Sequence, residues 1–159
     1  MDHKLTGRDC YTVGVISDTH GRLLSSVCEA FQQVDLIIHA GDIDSKEVLD
    51  KLQSLAPVMA VRGNMDFGAW TEQLRESETI EIGEAVLHVR HILGNIPAMA
   101  AVDVVIYGHT HQAHMERRNG ILFVNPGSAG QRRYENPLSI ALLCISGKEV
   151  DARIIALEE

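Results

Sequence analysis

The strongest constraint on this chain is a repeated junction, in which an apolar run too short for a helix breaks onto a residue able to bind a cation. Tyr11 to Ser17 reads YTVGVIS and opens onto Asp18-Thr19-His20. Leu36 to Ala40 opens onto Gly41-Asp42, and Val58 to Val61 onto Arg62-Gly63-Asn64. Ala85 to His91 itself ends in histidine, and Val104 to Tyr107 opens onto Gly108-His109-Thr110-His111. Such β-branched runs are predicted to be buried strands. Ligands of open α/β sheets gather at the carboxyl ends of the strands. These junctions therefore deliver donors to one edge from separate parts of the chain.

Between the first three strands the spacing predicts helices. Leu23 to Val34 (LLSSVCEAFQQV) repeats apolar residues at helical intervals, and Asp44 with Glu47 resembles a capping box opening a helix through Leu55. Strands separated by helices predict a parallel sheet of βαβ units. The second half reads differently. Thr79 to Ile82 and Ala85 to His91 form a strand pair about Gly83-Glu84, and a short helix is expected around Ile96 to Ala101. Asn119-Gly120 predicts a two-residue hairpin, because both positions favour positive φ. Leu138 to Ile145 and Val150 to Ile155 are the last strands. With no repeat or linker, one α/β domain over residues 1–159 is expected, its first ten residues a flexible terminus.

Composition narrows the function classes. A formal net charge of −8 makes the surface repel nucleic-acid phosphates, which argues against a non-specific nucleic-acid binder. It leaves a phosphate substrate open, since bound divalent cations reverse the sign locally. Cys10, Cys28 and Cys144 have no CxxC spacing and read as reduced thiols. The first residues contain no apolar stretch of signal-peptide type, and Ile96 to Tyr107 is too short to span a bilayer. A cytoplasmic protein with no membrane association is the expectation.

The donors at the junctions are carboxylate, imidazole and amide oxygen. Together they favour a divalent cation of intermediate hardness, such as Mn, Zn, Fe or Ni. Asp-x-His and Gly-Asp are common singly; the ordered set is the signal. The sequence resembles the calcineurin-like metallophosphoesterases, in their small single-domain bacterial and archaeal phosphodiesterase branch. Ser17-Asp18-Thr19-His20-Gly21, His39-Ala40-Gly41-Asp42, Arg62-Gly63-Asn64-Met65-Asp66 and Gly108-His109-Thr110-His111 carry the resemblance, with Asn125-Pro126-Gly127-Ser128 and Arg133.

The resemblance implies a four-layer α/β/β/α sandwich with two metals at its edge, manganese first among the candidates. Asp18, His20 and His111 would hold one metal, Asn64, His91 and His109 the other, and Asp42 would bridge them. Water between the metals would lose a proton and attack phosphorus in line, with Asp42, Asn64 and His109 the catalytic residues. Ser128 and Arg133 would bind substrate, a small-molecule phosphodiester. By the same analogy the chain would form a homo-oligomer. Two departures stand out. The family's usual His-Gly-His is here His91-Ile92-Leu93, with His88 as the alternative ligand. Met65 stands where relatives carry histidine or cysteine, and methionine cannot give a proton to a leaving oxygen.

Plainer readings compete at single residues. Asp44 reads as a turn or cap residue, Asp66 as the cap of a helix starting near Ala69, His39 as a core or supporting histidine, and Trp70 as packing. Asn125 to Ser128 is equally well a structural turn. Arg117, Arg118, Arg132 and Arg133 also suit a solvated surface. At the level of function, the competitor is a retromer-subunit-like protein-interaction scaffold of the same fold with a degraded metal site. A nucleotide-binding regulator is weaker, since no GxGxxG or Walker pattern is present.

Overall fold

In the computed structural model, residues 4–94, 102–132 and 135–158 are described. The helix expected around Ile96 to Ala101, and Arg133, lie outside them. The elements begin with β1 (Lys4–Leu5), β2 (Tyr11–Ile16), α1 (Ser25–Ala30), β3 (Leu36–His39), α2 (Lys46–Gln53) and β4 (Val58–Ala60). A short 3-10 turn (Ala69–Thr71) leads to β5 (Ser77–Ile82), β6 (Ala85–Arg90), β7 (Val104–Ile106), β8 (His114–Arg118) and β9 (Ile121–Asn125). The chain closes with β10 (Ser139–Ser146) and β11 (Glu149–Ala156).

Two sheets result. One has the order β11-β10-β2-β3-β4, with β2, β3 and β4 parallel as the βαβ spacing predicts and β10 and β11 added antiparallel. The other runs β1-β5-β6-β7-β9-β8. Strand alternation explains why they stack. Val13, Val15, Leu36 and Ile38 point from the first sheet toward Leu87, Val89, Val104, Ile106 and Val124 of the second, all buried in one core. Each such side chain contributes roughly 1.5–3 kcal/mol by leaving water. The intervening residues Ile16 and Ile37 face the other way, against Val27, Phe31, Val48 and Leu52 of the helical layer. Gly14 makes room there: a Cβ on it would stand 2.6 Å from the Phe31 ring. The far face of the second sheet carries Val105, Tyr107 and Phe123. The architecture is thus a mixed α/β sandwich of two sheets, and among the described residues no helix is long and apolar enough to cross a membrane.

Local expectations fare unevenly. Asn119 and Gly120 turn the β8–β9 hairpin at φ 51° and 80°, as their chemistry predicts. α1 is shorter than the apolar spacing suggests. Its chain must return to β2, where Asp35 donates its N–H to the Thr12 carbonyl (2.8 Å) and accepts the Thr12 N–H on its carboxylate (2.8 Å). α2 starts at Lys46 with Ser45, not Asp44, in the cap position. Asp44 lies outside the helix at φ 64°, its side chain turned elsewhere.

Candidate metal centre

Six of the seven non-glycine residues with positive φ among those described are Asp18, His20, Asp42, Asp44, His109 and His111. Each such conformation costs on the order of 1–2 kcal/mol, and clusters of them mark functional sites. Surrounding hydrogen bonds hold the strain in place. The loops after β2 and β3 are laced together by Asp18 N–H to Gly41 O (3.0 Å), His20 N–H to Asp42 O (3.1 Å) and Gly21 N–H to Ile43 O (2.8 Å). The loop after β4 comes so close that a Cβ on Gly63 would sit 2.2 Å from the Asp42 amide nitrogen.

The junction side chains meet in two sets. Donor atoms of Asp18, His20 and His111 lie within 4.8 Å of one another, and so do those of Asp42, His91 and His109. His111 Nε2 stands 3.3 Å from Asp18 Oδ1 and 3.2 Å from His20 Nε2. Asp42 Oδ2 links the sets, 3.1 Å from His91 Nε2 and 3.9 Å from His20 Nε2. Each set has the hard-and-borderline chemistry that suits a divalent ion.

In four of these ligand candidates, one polar atom is tied to the protein and the other is turned inward. Asp18 Oδ2 accepts from the Ser17 hydroxyl (2.8 Å) and the His109 N–H (3.1 Å), leaving Oδ1 for the cluster. Asp42 Oδ1 accepts the Met65 N–H (2.8 Å), leaving Oδ2. His91 Nδ1 donates to the Ala40 carbonyl (2.8 Å), and His20 Nδ1 to Asp44 Oδ2 (2.8 Å), which fixes the tautomers and aims both Nε2 atoms inward. Asp18 Oδ1 and His91 Nε2 are buried in the cluster with no hydrogen-bond partner, as are His111 Nδ1 and, outside both sets, His88 Nε2. Buried polar atoms rarely stay so unless they have another job.

Electrostatics agree with this geometry. Burial alone pushes the Asp18 carboxyl up, yet His111, His91 and Ser17 together hold it below the usual carboxylate range. Burial also pushes Asp42 up, and it too ends low, held by His91 and the Met65 amide. Burial lowers His91, but the carboxylates of Asp42 and Asp18 overcome it and leave the imidazole raised. The two carboxylates stay ionised and attract positive charge to this point. His39 behaves oppositely. It is fully buried, accepts the Gly41 N–H on Nδ1 (3.0 Å) and meets Thr19 Oγ1 through Nε2 (3.0 Å), and burial pushes it down to about 3. It is a neutral brace.

The remaining sequence candidates fall as follows. Asn64 lies at the mouth of the site, exposed, beside Met65 and His109. His88 sits on β6 with its ring hydrogen-bonded to Thr79 (3.0 Å) and belongs to neither set; strand alternation separates it from His91. Ser128 is buried, and its hydroxyl is used within the protein: it donates to the Asp18 carbonyl (3.0 Å) and accepts from the Gln131 N–H (3.1 Å). It braces the Asp18 loop. Asn125 does the same for the histidine loop, donating to the Gly108 carbonyl (3.2 Å) and to Thr110 Oγ1 (3.0 Å).

Two residues had plainer expected roles. Asp44 is no helix cap; it orients His20. Asp66 does not cap the turn at Ala69, where Gly68 occupies that position. Its buried carboxylate accepts four backbone N–H groups instead, from Asp42 (3.1 Å) and Gly63 (2.8 Å) on Oδ2 and from Ile43 (2.8 Å) and Asp44 (2.9 Å) on Oδ1. The one available hint was that each aspartate follows a ligand candidate by two residues, Asp44 after Asp42 and Asp66 after Asn64.

Two openings reach the site. One, about 430 Å³, is lined by His20, Asp42, Asp44, Asn64, Met65, His109, His111 and Gln131. A neighbouring cleft of about 560 Å³ includes Arg62, Asn64, Phe67, Glu76, Arg90, His91 and Ile92.

Residues 12–148 match the calcineurin-like phosphoesterase superfamily domain. A probable metallophosphoesterase of Methanothermobacter thermautotrophicus is 38% identical over 157 residues, covering 90% of this chain and 91% of that one. Phosphodiesterase YfcE of Escherichia coli (strain K12) is 30% identical over 159 residues, covering 80% and 84%. Among solved structures, Vacuolar Protein Sorting 29 of Cryptosporidium parvum superposes with a TM-score of 0.81 at 23% identity, covering 96% of this chain and 94% of that one, a likeness of fold.

Proposed function

The chain belongs to the calcineurin-like phosphoesterase superfamily, and from that premise we propose that it is a phosphodiesterase working with two divalent cations. That it is a metal-dependent phosphoesterase, a hydrolase of phosphate esters, follows from the family and from its metallophosphoesterase and phosphodiesterase relatives. In our reading Asp18, His20 and His111 hold one cation, Asn64, His91 and His109 the other, and Asp42 both. Manganese is the first choice, with zinc, iron or nickel as alternatives. The observation that carries this is the inward set of donor atoms, Asp18 Oδ1 and His91 Nε2 buried without a hydrogen-bond partner, each on a side chain whose other polar atom is fastened to the protein.

The chain's own residues do the positioning. Asp44 and the Ala40 carbonyl set the ring planes of His20 and His91. The Met65 N–H and the Ser17 hydroxyl hold the two carboxylates in one orientation. Asn64 and His109 line the mouth through which the phosphoryl group enters. Two divalent cations bound here would supply Lewis acidity, lowering the pKa of water to about 7 and offsetting phosphoryl charge. A cytoplasmic setting suits the free thiols of Cys10, Cys28 and Cys144.

The test is hydrolysis of a bis-aryl phosphodiester by metal-stripped protein, with and without manganese, beside Asp42→Ala. Manganese-dependent turnover should fall on the order of a hundredfold in the variant, and the metal bound per chain should fall with it. Parent and variant indistinguishable, both inactive, would leave the scaffold reading in possession. A second expectation concerns Met65, half exposed at the same mouth. It supplies no proton, so turnover should depend steeply on the acidity of the leaving alcohol. Met65→His should raise rates on poor leaving groups about tenfold or more, while rates on nitrophenyl esters stay level. An unchanged dependence on leaving-group acidity would overturn this.

A further inference from the structure

Large hydrophobic side chains are exposed at four places among the described residues: Met65 (48%), Phe67 (67%), Ile92 (48%) and Met115 (40%). One such residue on a surface needs no explanation. Three of these, however, border the same small region. Met65 lines the mouth of the centre, and Phe67 and Ile92 line the adjoining cleft. That cleft shares Asn64 with the mouth and reaches His91, so it is continuous with the site. It also contains two guanidinium groups. Arg62 is anchored there by its Nε–H, which donates to the Asp66 carbonyl (3.2 Å), and Arg90 stands on the other wall.

We propose that this cleft receives the leaving arm of the substrate, and that this arm is a weakly basic anion carrying a flat unsaturated ring. The inference rests on the phosphodiesterase reading and adds the substrate class to it. The apolar rim fits a ring, since Phe67 offers a face for stacking and guanidinium planes stack on rings as well. Two guanidinium groups line the cleft against one exposed carboxylate, Glu76, the Asp66 carboxylate being taken up by backbone N–H groups. That balance fits an arm that departs with negative charge. The mouth fits the same conclusion from the opposite side. Its imidazoles and Asp42 are the proposed ligands, Asp44 is engaged with His20, and Met65 and Gln131 hold no acidic proton. A leaving oxygen here departs as an anion, so it must be a stable one.

In the step itself, the oxygen of water forms the new bond to phosphorus while the bond from phosphorus to the leaving oxygen breaks. The electron pair goes with that oxygen, and the protons of water pass to solvent. Two kinds of arm have this chemistry: an aryl alcohol, leaving as a phenolate, and a nucleotide joined through a phosphoanhydride, leaving as its phosphate. Both have a conjugate acid far stronger than a simple alcohol, and both carry a ring.

The experiment uses manganese-loaded protein and three substrates: methyl 4-nitrophenyl phosphate, the methyl ester of adenosine diphosphate, and dimethyl diphosphate, whose leaving arm is equally acidic but has no ring. The parent should favour one of the two ringed substrates, which identifies the source of the ring. Phe67→Ala should lower kcat/KM on that substrate about tenfold and leave dimethyl diphosphate within about twofold, and Phe67→Tyr should restore the loss. Calorimetry on metal-free protein gives a readout independent of turnover: the tighter of adenosine monophosphate and 4-nitrophenolate should bind about tenfold more weakly to Phe67→Ala. Equal effects of Phe67→Ala on all three substrates, or best turnover of the ringless one, would overturn the inference and leave the phosphodiesterase reading standing. No manganese-dependent turnover of any of them would overturn both.

Discussion

Asp66→Ala is expected to lose a large share of its folding stability and, with it, the capacity to bind metal. The carboxylate is 1% exposed and accepts the N–H groups of Asp42, Ile43, Asp44 and Gly63. Removing it leaves three buried donors, and a fourth that is part-buried, without partners. Each unsatisfied buried donor costs about 1–3 kcal/mol, so the three alone cost at least about 3 kcal/mol, a large share of the 5–15 kcal/mol typical of a whole domain. The loss falls where the backbone is already strained, at φ 57° and 64° for Asp42 and Asp44. A carboxylate gripped by successive N–H groups fills the kind of concavity that the backbone otherwise offers to free anions. Asp66→Asn keeps the volume but turns an amide donor toward amide donors, and should fall between parent and alanine. Urea midpoints give the stability and manganese titration the occupancy. An alanine variant as stable as the parent would show that the four bonds are dispensable.

The second large effect is in acid. His39 is fully buried and its imidazole is pushed down from 6.5 to about 3. Protonation would place a hydrogen on Nδ1, facing the Gly41 N–H that it now accepts. Between these two values the unfolded chain takes up a proton that the folded chain refuses. The contribution of His39 to stability is therefore full above about pH 6.5 and declines as the pH falls toward 3, by on the order of 5 kcal/mol across the window. Asp18 and Asp42, held below the usual carboxylate range, add loss in the same direction at its lower end. His91, being raised, works the other way: its contribution is present below pH 6.5 and fades as the pH rises through its folded value. Comparison with His39→Gln isolates the one group. On metal-free protein, urea midpoints from pH 7 to 4 should fall more steeply in the parent, by roughly 1.4 kcal/mol per pH unit near pH 5. Parallel curves would mean that His39 charges freely.

How much of this was legible in the sequence depends on how far each residue reaches. Asp18, Asp42, His109 and His111 each follow an apolar run within a few positions, so locating the strand locates the residue. His91 stands directly after β6, and that place at the strand's end, with Gly94 close behind, set it apart from His88. Asp66 and Asp44 were illegible for the converse reason. Asp66 acts on a loop more than twenty residues away, and Asp44 on a ring 24 residues away, across contacts that exist only once the sheet has formed. Local chemistry offered both a cap role, and the tertiary fold overrode it. Ser128 was legible only as a hydroxyl near a phosphate site; its hydrogen bonds to the Asp18 carbonyl and from the Gln131 N–H join loops that meet only in the fold. Helix lengths failed where the chain had to return to β2 sooner than apolar spacing implied.

The centre draws on both sheets at once. Asp18, Asp42 and Asn64 follow β2, β3 and β4 of one, while His91, His109 and His111 follow β6 and β7 of the other. Bonds already run between the two sides, from His91 to the Ala40 carbonyl and from the His109 N–H to Asp18. On the proposed ligand assignment, cations bound here act as a rivet through one end of the sandwich, tying layers whose shared interior is apolar. Metal and fold would then be thermodynamically linked: each ion bound by the native state alone adds RT ln(1 + [L]/Kd) to its stability. The cell's supply of metal would set how long the protein survives as well as how fast it works.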